Sequence, residues 1–127
     1  MRIFASLAAV AVAFAVPANA AGIVEFKTST FAALQAQKQP VVIFVHAPWC
    51  PICRAQEETI RSLLATPTYK NVTVLTIDYD TQKALWTKFG AKQQSTLIGF
   101  RGARETSRLA YNSDAARVTA VLSSTLR

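Results

Sequence analysis

The sequence is poor in the residues that most chemistry needs, with two cysteines, one histidine and one methionine in 127 residues. A metal centre would draw on Cys50, Cys53 and His46 and still lack a fourth ligand, so no metal and no other cofactor is expected. The longest apolar run, Ile3 to Val16, falls short of the roughly 18 residues that a membrane-spanning helix needs. Acidic residues are scarce, 7 against 14 basic ones, which leaves a net charge of +7. The basic side chains are spread along the chain, and only Arg101, Arg104 and Arg108 are locally dense. Aromatic residues do not interleave with them as on a nucleic-acid platform, so no nucleic-acid partner is expected. A solvated basic surface remains, with some attraction to acidic partners or membrane surfaces. Repeats, low-complexity segments and linkers are also missing.

What is present begins with an address. Met1-Arg2 is a minimal positive start, and Ala18-Asn19-Ala20 closes the apolar run with a small-x-small pattern suited to signal peptidase. Residues 1–20 are expected to be a signal peptide cut near Ala20, with residues 21–127 forming one domain exported to the periplasm. No cysteine stands directly after the expected cut, so a lipid-anchored start is not indicated.

The two cysteines stand three apart in Trp49-Cys50-Pro51-Ile52-Cys53, directly after Val41-Val42-Ile43-Phe44-Val45. A strand that ends in a turn and opens a helix puts Cys50 at the N-cap. Cys53 then sits one turn in, close enough for the two sulfurs to bond. A helix start lowers a thiol's pKa, and a neighbouring thiol resolves a mixed disulfide. An inert staple is the competing reading, but so short a ring constrains the unfolded chain little. The pair Cys50–Cys53 is read as a redox-active disulfide.

Periodicity places the other elements around it. Ile23, Val24 and Phe26 suggest a short strand, and Thr28, Ser29 and Thr30 offer caps for a helix through about Gln37. Val41–Val45 has the continuous pattern of a strand buried on both faces. The helix opened by Pro51 runs to about Ala65, with Ile52, Ala55, Ile60 and Leu63 inward and a Glu57–Arg61 pair outward. A strand at 72–77, a helix at about 81–89 stopped by Gly90, a strand at 96–100, a hairpin through Arg101–Arg104 and a helix capped by Ser113-Asp114 follow. The last helix turns Ala115, Val118, Leu122 and Leu126 to one face. The order β-α-β-α-β-α-β-β-α defines an α/β chain with a central mixed sheet flanked by helices.

Phe44 to Arg54, Val74-Leu75-Thr76-Ile77-Asp78 and Ser95-Thr96-Leu97-Ile98-Gly99-Phe100 together resemble the thioredoxin family, over about residues 25–126. The resemblance implies a thioredoxin-like fold, Cys50 as the attacking cysteine and Cys53 as the buried resolving one. Trp49 resembles the tryptophan that flanks the site. The activity implied is thiol–disulfide exchange on protein or small-molecule disulfides by a monomer, fed by a membrane or periplasmic redox partner.

Four departures from the family pattern stand out. Its proline opposite the cysteines aligns with Ser95, next to Thr96, so the Gln94–Ser95 bond is expected to be trans. Ser95 either hydrogen-bonds a thiolate or the substrate chain, or merely closes a loop. The family's buried acid aligns with Phe44, and the lysine that accompanies it aligns with Val74; losing both together strands no buried charge. His46 stands where an aromatic residue is common, as a packed, hydrogen-bonded side chain or as a group tuning Cys50. Between the cysteines, Pro51-Ile52 replaces the histidine-containing pair of strong oxidants, and Ile52 is expected to desolvate the thiolate and raise its pKa. That leans toward a reductase. The alternatives are an oxidant or isomerase, and a redox-quiet binding module for partner or unfolded segments.

Overall fold

The computed structural model describes residues 10–11 and 22–127, so nearly all of the expected signal segment lies outside the described residues. The described chain runs β1 (Gly22–Glu25), α1 (Thr28–Ala36), β2 (Pro40–His46), α2 (Pro51–Leu64), β3 (Thr73–Asp78), α3 (Lys83–Lys88), β4 (Thr96–Arg101), β5 (Arg104–Ala110) and α4 (Ala115–Ser124). The five strands form one sheet in the order β1-β3-β2-β4-β5. β1 and β2 lie parallel to β3, whereas β4 runs antiparallel to both β2 and β5.

β2 is the centre, and its sequence explains why. Pro40 to Val45 are all buried, because helices cover both faces of the sheet. Alternation then divides the core. Val42 and Phe44 pack with Cys53 and Ile60 of α2 and Val118 and Leu122 of α4. Val41, Ile43 and Val45 pack with Leu34 of α1 and Trp86 of α3 on the other face. There Phe31 meets Phe26, Phe89 and Phe100 at ring separations of 5.7, 5.5 and 5.4 Å. Tilted and edge-on contacts of this kind add about 1 kcal/mol each beyond area burial.

The register places the site. His46 pairs with Asp78 at the end of β3, and Val45 pairs with Thr96 at the start of β4. The turn after β2, the loop after β3 and the loop before β4 therefore meet at one end of the sheet, where α2 begins.

Element order follows the sequence reading, and several details differ. The N-cap of α1 is Lys27, in extended conformation and without a side-chain cap bond, so Thr28, Ser29 and Thr30 lie inside the helix rather than capping it. Phe26 follows β1 instead of belonging to it. α3 is shorter than expected, but Gly90 does follow its C-cap with φ +72°, a conformation glycine adopts without a Cβ clash. Asp114 caps α4 by accepting from Arg117 N–H at 3.1 Å, and Ala115 of the expected inner face is exposed. The fully buried side of α2 is Cys53, Gln56 and Ile60, while Ile52, Ala55 and Leu63 are half-buried.

Candidate active site

The turn Ala47–Cys50 is closed by Cys50 N–H donating to Ala47 O at 3.1 Å. It delivers Cys50 to the N-cap of α2, where its Sγ accepts from Cys53 N–H at 3.3 Å. Pro51 takes the first helical position, where a missing N–H costs nothing. Cys53 is fully buried and Cys50 is 2% exposed. Both are free thiols.

Ser95 sits between them. Its Oγ lies 3.1 Å from Cys50 Sγ and 3.0 Å from Cys53 Sγ. The peptide bonds of the described residues are all trans, Gln94–Ser95 included, and the turn is made instead by Ser95 itself at φ +60°. That left-handed conformation costs a non-glycine residue about 1–2 kcal/mol, so something must hold it. Ser95 N–H donates to Val45 O at 2.8 Å, and Ser95 O accepts from Tyr111 N–H at 2.9 Å. Gln56 Nε2 adds a donor to Ser95 O at 3.0 Å and a second to Asn112 O at 3.0 Å. The backbone donor restored at Ser95 is thus turned into the sheet, and its hydroxyl is aimed at the sulfurs.

The two thiols are driven apart. Burial presses the Cys50 pKa upward, but hydrogen bonds from Ser95, from Cys53 N–H and from Ile52 N–H outweigh it and bring the pKa below the ordinary thiol value. The raised Cys50 pKa expected from Ile52 is therefore not found, and Ile52 acts instead through a backbone N–H that lowers it. Burial raises the Cys53 pKa; the bonds from Ser95 and the Ala47 backbone oppose this without reversing it, and the neighbouring Cys50 adds to the rise. One alkylation should follow at neutral pH, on Cys50. Its rate should rise through a midpoint below that of an ordinary thiol, while Cys53 reacts only in denatured protein. Peptide mapping after timed iodoacetamide treatment checks this, and equal labelling of both would contradict it.

The other sequence-predicted residues are arranged differently around the sulfurs. Trp49 donates from Nε1 to both Asp80 oxygens at 3.1 and 2.9 Å. Its ring lies edge-on to Tyr79 at 6.2 Å and is still 55% exposed. Tyr79 in turn stacks on Trp86 at 5.2 Å, with Trp86 Nε1 donating to Tyr79 O at 3.0 Å. Thr96 turns its hydroxyl away from the cysteines to Gln93 O at 2.8 Å. His46 lies edge-on to Phe44 at 5.2 Å, with Nε2 3.6 Å from Glu57 Oε2, within ion-pair range but too long for a hydrogen bond. His46 Nε2 is buried without a hydrogen-bond partner, so the expected hydrogen-bonded histidine is not what forms there. Phe44 and Val74 are fully buried in the same cluster as the cysteines.

Sequence reasoning missed Gln56 and Asp80. Gln56 is i+3 from Cys53 and i−4 from Ile60, which puts it on the buried stripe, but its polarity disguised it. Asp80 follows the strand that pairs with β2, which brings it beside Trp49. Among the described residues, no group of three or more His, Cys, Asp or Glu side chains is gathered as for a metal ion.

A buried dithiol at a helix start, facing a loop at the end of a mixed sheet, defines a thiol-bearing protein of the α/β class. The thioredoxin family model matches residues 22–124, and the chain belongs to the thioredoxin family. Among solved structures it is similar to Trxlp from Edwardsiella tarda EIB202, at 33% identity and a TM-score of 0.75, covering 80% of this chain and 98% of that one. Thioredoxin Mala s 13 from Malassezia sympodialis superposes with a TM-score of 0.68 at 18% identity, over 83% of this chain and 92% of the other. Thioredoxin O2 from Arabidopsis thaliana does so at 0.64 with 23% identity, over 80% and 90%. No sequence among the curated proteins matches significantly.

Proposed function

We propose that this protein is a thiol–disulfide oxidoreductase of protein disulfides, working after export in the periplasm and more a reductant than an oxidant. The observation that carries it is the split dithiol: a Cys50 sulfur held by helix-start N–H groups, with Cys53 one turn in behind it. Cys50 attacks the substrate disulfide as thiolate, Cys53 displaces the substrate sulfur, and a redox partner in the membrane or periplasm restores the dithiol. The basic surface favours acidic partners. The reducing direction rests on the lack of a histidine between the cysteines, which leaves the Cys50 thiolate without a charged neighbour inside the ring.

Equilibration with glutathione over a range of ratios, read by trapping free thiols, tests both parts. A potential close to that of thioredoxin, about −270 mV, supports the reductase. A value near the −120 mV of the strong oxidants overturns the direction. Failure to exchange at all overturns the activity and leaves a thiol-independent binding role.

A further inference from the structure

We propose that the Ser95 hydroxyl handles the proton of the exchange reaction, accepting from the Cys53 thiol while donating to whichever sulfur on the Cys50 side carries negative charge. The inference rests on the exchange reading above and concerns how that same site works. A hydroxyl offers one donor and two acceptor positions, so it can serve both sulfurs at once only in this sense. Ser95 Oγ is within 3.1 Å of each, and the residue is fully buried. The resting chain is Cys53 S–H to Ser95 O–H to Cys50 thiolate.

The setting leaves few competitors. The position of the family's buried acid is filled by Phe44, which is fully buried and carries no proton to exchange. Among the described residues no carboxylate, imidazole or amine bonds Cys53; its Sγ meets Ser95. The fold also spends strain to keep the hydroxyl there. Ser95 stays at φ +60° because Val45, Tyr111 and Gln56 hold its N–H and C=O, and Gln56 is itself fully buried. A residue that only closed a loop would need no side chain, and glycine would relieve the strain.

The steps balance. Cys50 thiolate attacks one sulfur of the substrate disulfide, forms the mixed disulfide and expels the first substrate thiolate. Ser95 has then lost its charged acceptor, and its donor turns to the second substrate sulfur as that sulfur begins to leave. Cys53 passes its proton to Ser95 Oγ, Ser95 passes its own to the departing sulfur, and the Cys53 electron pair forms the bond to Cys50. The products are the Cys50–Cys53 disulfide and two reduced substrate sulfurs, one released as thiolate and one as thiol. Two electrons have moved from protein to substrate, and serine is regenerated.

Ser95→Ala and Ser95→Gly together test this in the full-length exported protein. Both remove the hydroxyl, and only the glycine variant also relaxes the backbone. In both, the thiolate absorbance of Cys50 should titrate about one pH unit higher, the worth of one hydrogen bond to a charged group. Release of a small chromogenic thiol from its preformed mixed disulfide with Cys50 should slow at least tenfold. The glutathione equilibrium should shift about tenfold toward the protein disulfide, which is about 30 mV more reducing. Wild-type titration and release in both variants overturn the proposal, as does a glycine variant that behaves as wild type while alanine does not. Failure of the unaltered protein to exchange with glutathione strikes the exchange reading instead, and the thiolate titration still reports on the hydroxyl.

Discussion

Cys50→Ser should abolish thiol–disulfide exchange, whereas Cys53→Ser should keep the first half of the reaction and accumulate a protein-bound mixed disulfide. The asymmetry follows from position on α2. Cys50 is the N-cap, its sulfur bonded by Cys53 N–H and by Ser95, and its pKa is drawn down. Cys53 lies one turn deeper, fully buried, with its pKa pushed up by that burial. Of the two, Cys50 is the readier to ionise and to attack. A serine at position 50 is protonated at any accessible pH, so the attack should fall by at least about a thousandfold. A serine at position 53 cannot displace the substrate sulfur, and the adduct persists. Stopped-flow assay of a small aromatic disulfide measures the first effect, and mass spectrometry of unreduced protein the second. Turnover surviving in Cys50→Ser would reverse the two roles.

The part of this site that a one-dimensional pattern carries is the part made by contiguous residues. The β-branched run of β2 followed by Trp49–Cys53 states a buried strand, a turn and a helix start in one short contiguous stretch, and each is formed. Helix-start chemistry at Cys50 follows from that local order. What pattern cannot carry is geometry built across the sheet. The left-handed Ser95 is fixed by Val45 on the neighbouring strand, by Tyr111 after β5 and by Gln56 from α2. Those three partners stand far apart in sequence. The same holds for Trp49, whose polar edge is held by Asp80 across 31 residues. Lys27 displaced the expected serine and threonine caps of α1 because the extended backbone before the helix ended one residue sooner. Capping residues are a statistical preference, and tertiary placement of the incoming chain overrides it.

The apolar pair at Phe44 and Val74 makes the proton route depend on a hydroxyl, and it also makes the core intolerant of the acid that the family places there. Phe44→Asp should destabilise the fold by about 5 kcal/mol, which is comparable with the entire stability of many domains. Phe44 is fully buried among Val42, Val74 and Leu97, so the substitution opens a cavity and sinks a carboxyl with no partner. The penalty should depend on pH in a definite direction. Burial raises the carboxyl's folded-state pKa above its unfolded value near 4. The variant is therefore closest to wild type in acid, where the carboxyl is neutral in both states, and falls further behind as pH rises through the folded pKa. Val74 lies on the adjacent strand opposite Val42, diagonal to Phe44 and on the same face. Phe44→Asp combined with Val74→Lys should then recover about 1–3 kcal/mol relative to the sum of the single changes, since each supplies the other's missing charge. Urea unfolding of the four proteins at pH 5 and pH 8 measures both effects. A Phe44→Asp variant as stable as wild type at pH 8, or strictly additive changes, would show that Phe44 and Val74 replaced the family's acid and lysine independently, with no buried ion pair whose halves had to leave together.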